Sequence, residues 1–108
     1  MTDGAAFERA DRDGESILVV RGEVDLATAD GFRHALQALV EAGSSPALVD
    51  LSAVTFMDSS GINALVTVRR AAQDAGVELV LVAPSTHART VLELTGLWTH
   101  FTVRPDGA

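Results

Sequence analysis

The sequence predicts a single α/β domain: a mixed, mostly parallel β-sheet of about five strands with helices packed against it, in the order β-β-α-β-α-β-α-β. Three observations predict it. Short apolar runs alternate with segments of helical periodicity, the signature of parallel crossovers. Asp13-Gly14 stands between two strand-like runs, which signals a hairpin and hence one antiparallel edge. The 108 residues suit one compact domain, and 47% of them are hydrophobic, enough for a core without covalent staples.

The opening pair is "AAFERADR" over 5–12 and "ESILVVRG" over 15–22. Ile17 to Val20 is continuously apolar, as expected of a strand covered on both faces. In the next segment Phe32, Ala35, Leu36, Leu39 and Val40 recur at helical spacing and form one face. Thr28 or Asp25 suits the start of this helix, and Gly43 suits its end. "PALVDLS" over 46–52 is a short strand. A second helix is expected from about Ser60 to Ala75, stopped by Gly76. It is apolar on two sides, with Ile62, Leu65 and Val66 on one and Ala64, Val68, Ala71 and Ala75 on the other, so it is either well buried or partnered. "VELVLVA" over 77–83 is the next strand, bounded by Pro84. Ser85 caps a third helix with Ala88, Val91, Leu92 and Thr95 as its stripe and Gly96 as its stop. "HFTVRP" over 100–105 is the last strand, with core residues spanning about 5–104 and "RPDGA" as a frayed tail.

Composition excludes several functions. Cysteine is absent, so disulfides, thiolate metal sites and thiol nucleophiles are excluded, in keeping with a reducing cytoplasm. The acidic, polar start does not resemble a secretory signal. No apolar run approaches the ~20 residues of a membrane span. The formal net charge of −7 repels phosphate backbones and argues against nucleic acid as a partner. His34, His87 and His100 stand apart in sequence and form no metal-ligand spacing. Neither G-x-x-x-x-G-K nor G-x-G-x-x-G occurs, so no glycine-rich phosphate loop and no cofactor site is expected.

"VTFMDSSGINALV" over 54–66 is the most informative stretch. The chain leaves a strand and enters a helix at Asp58, Ser59 and Ser60, three residue types that favour helix N-termini. Capping alone accounts for them. A second reading makes one serine a switch: a phosphate here sits at the positive end of a helix, is tolerated by the fold, and confronts a docked partner with new bulk and charge. A nucleophilic serine is the third reading, but the residues before Ser59 are Met57 and Asp58, so the G-x-S-x-G elbow is missing. The chain is therefore expected not to be an enzyme.

Two stretches, "LVVRGEVDLATAD" and "LVDLSAVTFMDSSGINALV", resemble the STAS family, which includes bacterial anti-sigma factor antagonists and domains of sulfate transporters. "AGVELVLVAPS" and "VLELTGLWTHFTV" continue the likeness, which covers nearly the whole chain. The resemblance implies partner switching in transcription control. The unphosphorylated protein binds an anti-sigma factor serine kinase of the histidine-kinase ATPase fold and frees a sigma factor. Phosphorylation of Ser59 by that kinase releases it, and a PP2C-type phosphatase resets it. The resemblance places Asp25, Phe56, Met57, Asp58, Ser60 and Gly61 at the partner-binding corner, with Ser60 as a cap or hydrogen-bonding neighbour and Phe56 and Met57 as either packing or contact. An accessory or scaffold STAS domain in a stress-sensing or lipid-transport complex, with no phosphorylation cycle, is the alternative. Many members carry a further helix after the last strand, whereas only "RPDGA" follows Val103. That implies a less covered face, and a monomer or weak homodimer.

Overall fold

The computed structural model describes residues 4–105. Its elements run β1 (Ala5–Arg12), β2 (Glu15–Val24), α1 (Ala29–Glu41), β3 (Ala47–Met57), α2 (Ser59–Asp74), β4 (Leu79–Val82), α3 (Thr86–Leu94), a short 3-10 turn (Trp98–His100) and β5 (Thr102–Arg104). The sheet has five strands in the order β1-β2-β3-β4-β5. The β1–β2 pair is antiparallel and the other three pairs are parallel. This is the predicted architecture.

The hairpin turns where the sequence places it. Asp13 and Gly14 both adopt positive φ, 53° and 79°, as a two-residue turn between twisted strands requires. Each parallel crossover moves one place along the sheet in the same direction. Right-handed crossovers then put every helix on one face. The packing agrees: Phe32, Leu36 and Leu39 of α1, Leu65 and Val68 of α2, and Leu92 of α3 share one core with Leu18, Val20, Val49, Leu51 and Leu81 of the strands. Phe32 is fully buried and stacks on Phe7 of β1 at 5.8 Å. Truncating such a ring costs roughly 3–5 kcal/mol, a large part of a small domain's stability. α2 packs beside α1 and against β3, which buries Ala64 and Val68 and leaves Ala71 and Ala75 exposed.

The opposite sheet face carries no helix among the described residues. A smaller apolar strip of Ile17, Leu48, Val80 and Val82 lies there. Arg104 reaches over it from β5 to Glu15 on β2, with paired contacts of 3.3 and 3.2 Å. That hydrogen-bonded carboxylate raises the Arg104 guanidinium above its ordinary range. Arg104 and Glu15 thus form a strap across part of this face.

Several boundaries differ from expectation. The strand read over 46–52 and the strand end read just before Asp58 belong to one strand, since Ala53, Val54, Phe56 and Met57 also pair with β2. β4 starts at Leu79, since the Val77 N–H turns back to bond the Ala72 carbonyl. His100 belongs to the 3-10 turn and not to β5. Arg104 is a strand residue and not part of a frayed tail; the rest of that tail beyond Pro105 lies outside the described residues. Gly43, Gly76 and Gly96 all follow their helices at positive φ, as read from the sequence.

Candidate functional site

Two strand ends build one corner. In the parallel β2–β3 pair, Glu23 lies opposite Phe56 and Val24 opposite Met57. The Asp58 N–H donates to the Val24 carbonyl at 3.1 Å, which ties the strand ends together at the last moment before both chains turn away. Each strand then delivers an aspartate, Asp25 from β2 and Asp58 from β3.

Asp25 shapes a turn. Its Oδ1 accepts the N–H groups of Ala27 at 3.0 Å and Thr28 at 3.2 Å. Thr28 closes the turn from the other side: its hydroxyl accepts the Asp25 N–H and donates to the Glu23 carbonyl, both at 2.9 Å. Thr28 occupies the N-cap position of α1 but makes no side-chain cap bond. The two candidates for starting this helix thus act together, with Asp25 Oδ1 bonded to backbone.

Asp58 caps α2. It is extended, at φ −107° and ψ −169°, and its Oδ1 accepts the Ser60 N–H at 2.8 Å. The cap is therefore Asp58, and Ser60 is its hydrogen-bonding neighbour, the second of the two roles read for it. Ser59 is the first residue of the helix, and it is exposed. Its hydroxyl makes no hydrogen bond to any described residue.

Gly61 sets the approach of the helix. A Cβ there would lie 2.8 Å from Val24 Cγ1 and 2.9 Å from Met57 Cγ. Only a residue without a side chain lets the first turn of α2 rest on the strand ends. Gly61 and Met57 are buried, Met57 at 1% exposure, so neither offers surface to a partner. Both fix the height at which Ser59 stands. For Met57 this selects packing over contact, and Gly61, placed at the partner-binding corner, lies beneath its surface.

Phe56 differs: it is 41% exposed. The ring of His87, in the first turn of α3, stacks on it at 5.2 Å, with His87 Nε2 3.4 Å from the Met57 carbonyl. The third helix is thereby joined to the same corner, a link with no signal in the sequence. His87 addresses a backbone carbonyl and not the Ser59 hydroxyl, so no serine–histidine pair is assembled. Among the described residues no three of histidine, aspartate and glutamate converge to hold a metal ion. No helix among them is long and apolar enough to cross a membrane.

One surface residue escaped the sequence reading. Leu26, at the tip of the Asp25 turn, is 82% exposed. Its only sequence signal is an apolar side chain directly after a turn-forming aspartate.

Comparison with known proteins adds the following. Residues 6–107 match the STAS domain. The anti-sigma-F factor antagonist RsfB of Mycobacterium tuberculosis is 32% identical over 88 residues, spanning 82% of this chain and 71% of that protein. The anti-sigma-B factor antagonist of Listeria monocytogenes is 31% identical over 93 residues, spanning 85% of this chain and 82% of that protein. The crystal structure of an anti-sigma factor antagonist from Mycobacterium paratuberculosis superposes with a TM-score of 0.84 at 30% identity, covering 94% of this chain and 86% of that one.

Proposed function

The chain belongs to the STAS domain family, and from that premise we propose that it is an anti-sigma factor antagonist whose switch is Ser59. Unphosphorylated, it binds an anti-sigma factor serine kinase of the histidine-kinase ATPase fold and frees a sigma factor. The kinase then modifies it. The Ser59 oxygen attacks the γ-phosphorus of bound ATP, the bond to the ADP oxygen breaks, and the hydroxyl proton passes to a base on the kinase. A PP2C-type phosphatase hydrolyses the phosphoserine and resets the cycle. The catalytic groups belong to the two partners, and the site of action is the cytoplasm, where sigma factors work.

The observation that carries this reading is the exposed, unbonded Ser59 hydroxyl at the first position of α2, between a capping carboxylate and a glycine that presses the helix onto the strands. A phosphate there carries roughly −1.5 to −2 charges at neutral pH. The helix N-terminus favours it, so the fold survives. A partner packed against the bare hydroxyl meets a bulky dianion beside the Asp58 carboxylate. Losing ~3 kcal/mol of binding weakens a complex about a hundredfold, enough to release it.

The test compares wild type, Ser59→Ala and Ser59→Asp for binding to the host's anti-sigma kinase with and without ATP. Ser59→Ala should bind and stay bound when ATP is added, and Ser59→Asp should bind poorly. Equal binding by all three under both conditions would sink the reading.

A further inference from the structure

We propose that Leu26 is an apolar anchor, seated in a pocket of the kinase that acts on Ser59, so that the turn between β2 and α1 selects the partner together with the serine. This rests on the reading of Ser59 as the phosphoacceptor.

Leu26 is 82% exposed, yet it does not sit on a loose loop. The Asp25 carboxylate and the Thr28 hydroxyl hold the turn on both sides of it through four hydrogen bonds of 2.9 to 3.2 Å. An exposed leucine on a locked turn gives up little conformational freedom when a partner covers it. It also stands where a partner must pass. Leu26 forms one wall of a depression of about 250 Å³ whose other wall is Ser60, Asn63 and Thr67 of α2. Ser60 and Asn63 also line a second depression of about 400 Å³ that includes Ser59. The two hollows flank the same turn of α2.

The occupant follows from the geometry of phosphoryl transfer. The enzyme must bring its ATP γ-phosphate to roughly 3–3.5 Å from the Ser59 oxygen. A protein surface that does so covers the hollows beside Ser59, and with them Leu26. Leaving the leucine against water at that contact forfeits apolar burial, whereas seating it in a pocket gains it.

The experiment measures steady-state phosphorylation of Ser59 by the host's anti-sigma kinase, and complex affinity without ATP, for wild type, Leu26→Asp and Leu94→Asp. Leu94 is also 82% exposed, but at the far end of α3 from this corner, so it controls for adding a surface charge. Circular dichroism and sedimentation accompany each variant. Leu26→Asp should stay folded, raise KM and Kd by about tenfold or more, and change kcat little, because it removes binding and not chemistry. Leu94→Asp should match wild type. Unchanged KM and Kd in Leu26→Asp, or an equal loss in Leu94→Asp, overturns the anchor while the Ser59 switch stands. Loss of self-association in Leu26→Asp with KM unchanged assigns the leucine to a second copy and also overturns it. No phosphate on wild-type Ser59 removes the switch itself, and the anchor with it.

Discussion

Asp58 Oδ1 accepts the Ser60 N–H at 2.8 Å, and this one bond leaves Ser59 between them with its hydroxyl in solvent. The two serines of the motif thereby part in role. Neither serine hydroxyl bonds a described residue, so exposure separates them: Ser60 is half-buried and gives its backbone N–H to the cap, and Ser59 stands exposed. An N-cap bond of this kind contributes about 1 kcal/mol. Asp58→Ala should therefore lower the thermal midpoint by roughly 4–8 °C. Asp58→Asn keeps an acceptor oxygen and should stay close to wild type. Thermal denaturation by circular dichroism checks both, and an unperturbed Asp58→Ala midpoint would show that the cap contributes nothing.

Gly61→Ala pits two effects against each other. Alanine is the better helix former by roughly 1 kcal/mol. The new Cβ, however, meets Val24 and Met57 inside 3.0 Å, and both are buried. Overpacking of this sort costs typically 1–3 kcal/mol, so steric conflict should win. Urea denaturation should show a net loss of stability, and phosphorylation of Ser59 should slow because the helix start is pushed off the strands. A stabilised variant would mean that the helix does not rest on Val24 and Met57.

Asp25→Ala removes the acceptor for two backbone N–H groups. The turn should loosen, with faster amide exchange at Ala27 and Thr28. Partner binding should weaken although Ser59 is untouched. Asp25→Asn, which keeps an acceptor oxygen, should retain much of the binding. If Asn and Ala variants bind equally poorly with protected amides, the charge of Asp25 and not its turn matters.

The Arg104–Glu15 strap predicts a dependence on geometry more than on charge. Two guanidinium nitrogens meet the two carboxylate oxygens. Arg104→Lys keeps the charge but loses the fork, and its thermal midpoint should fall. The guanidinium is raised above its ordinary range, so its stabilising effect is complete below that range and is lost only as pH rises through it. Base titration across pH 6 to 9 should accordingly leave the difference between wild type and Arg104→Lys constant.

The architecture was legible in the sequence because local signals agree with it. Apolar runs mark the strands, periodicity marks the helices, and Asp13-Gly14 marks the hairpin. Ser85 caps α3 through the Ala88 N–H, as read. What the sequence hid depends on contacts between distant segments. β3 runs unbroken from Ala47 to Met57 because β2 lies beside it, and the two bulges in that pairing have no local mark. Met57 read as either packing or contact and Gly61 as part of the docking corner, and the close approach of α2 to Val24 buries both. Asp25 reads as a docking group, and its Oδ1 also holds the turn that displays Leu26, a role without a local mark. The link from α3 to the corner, His87 on Phe56, joins residues 31 positions apart and has no local mark.

The central claim is that one serine of the pair is the switch. Phosphosite mapping by mass spectrometry, after incubation with ATP and the host's anti-sigma kinases, tests it most directly. A single phosphate is expected on Ser59, none on Ser60, with loss of the complex as the phosphate appears. A stable complex that carries no phosphate with any of these kinases, or a phosphate on Ser60 instead, would contradict it and make the corner a scaffold surface.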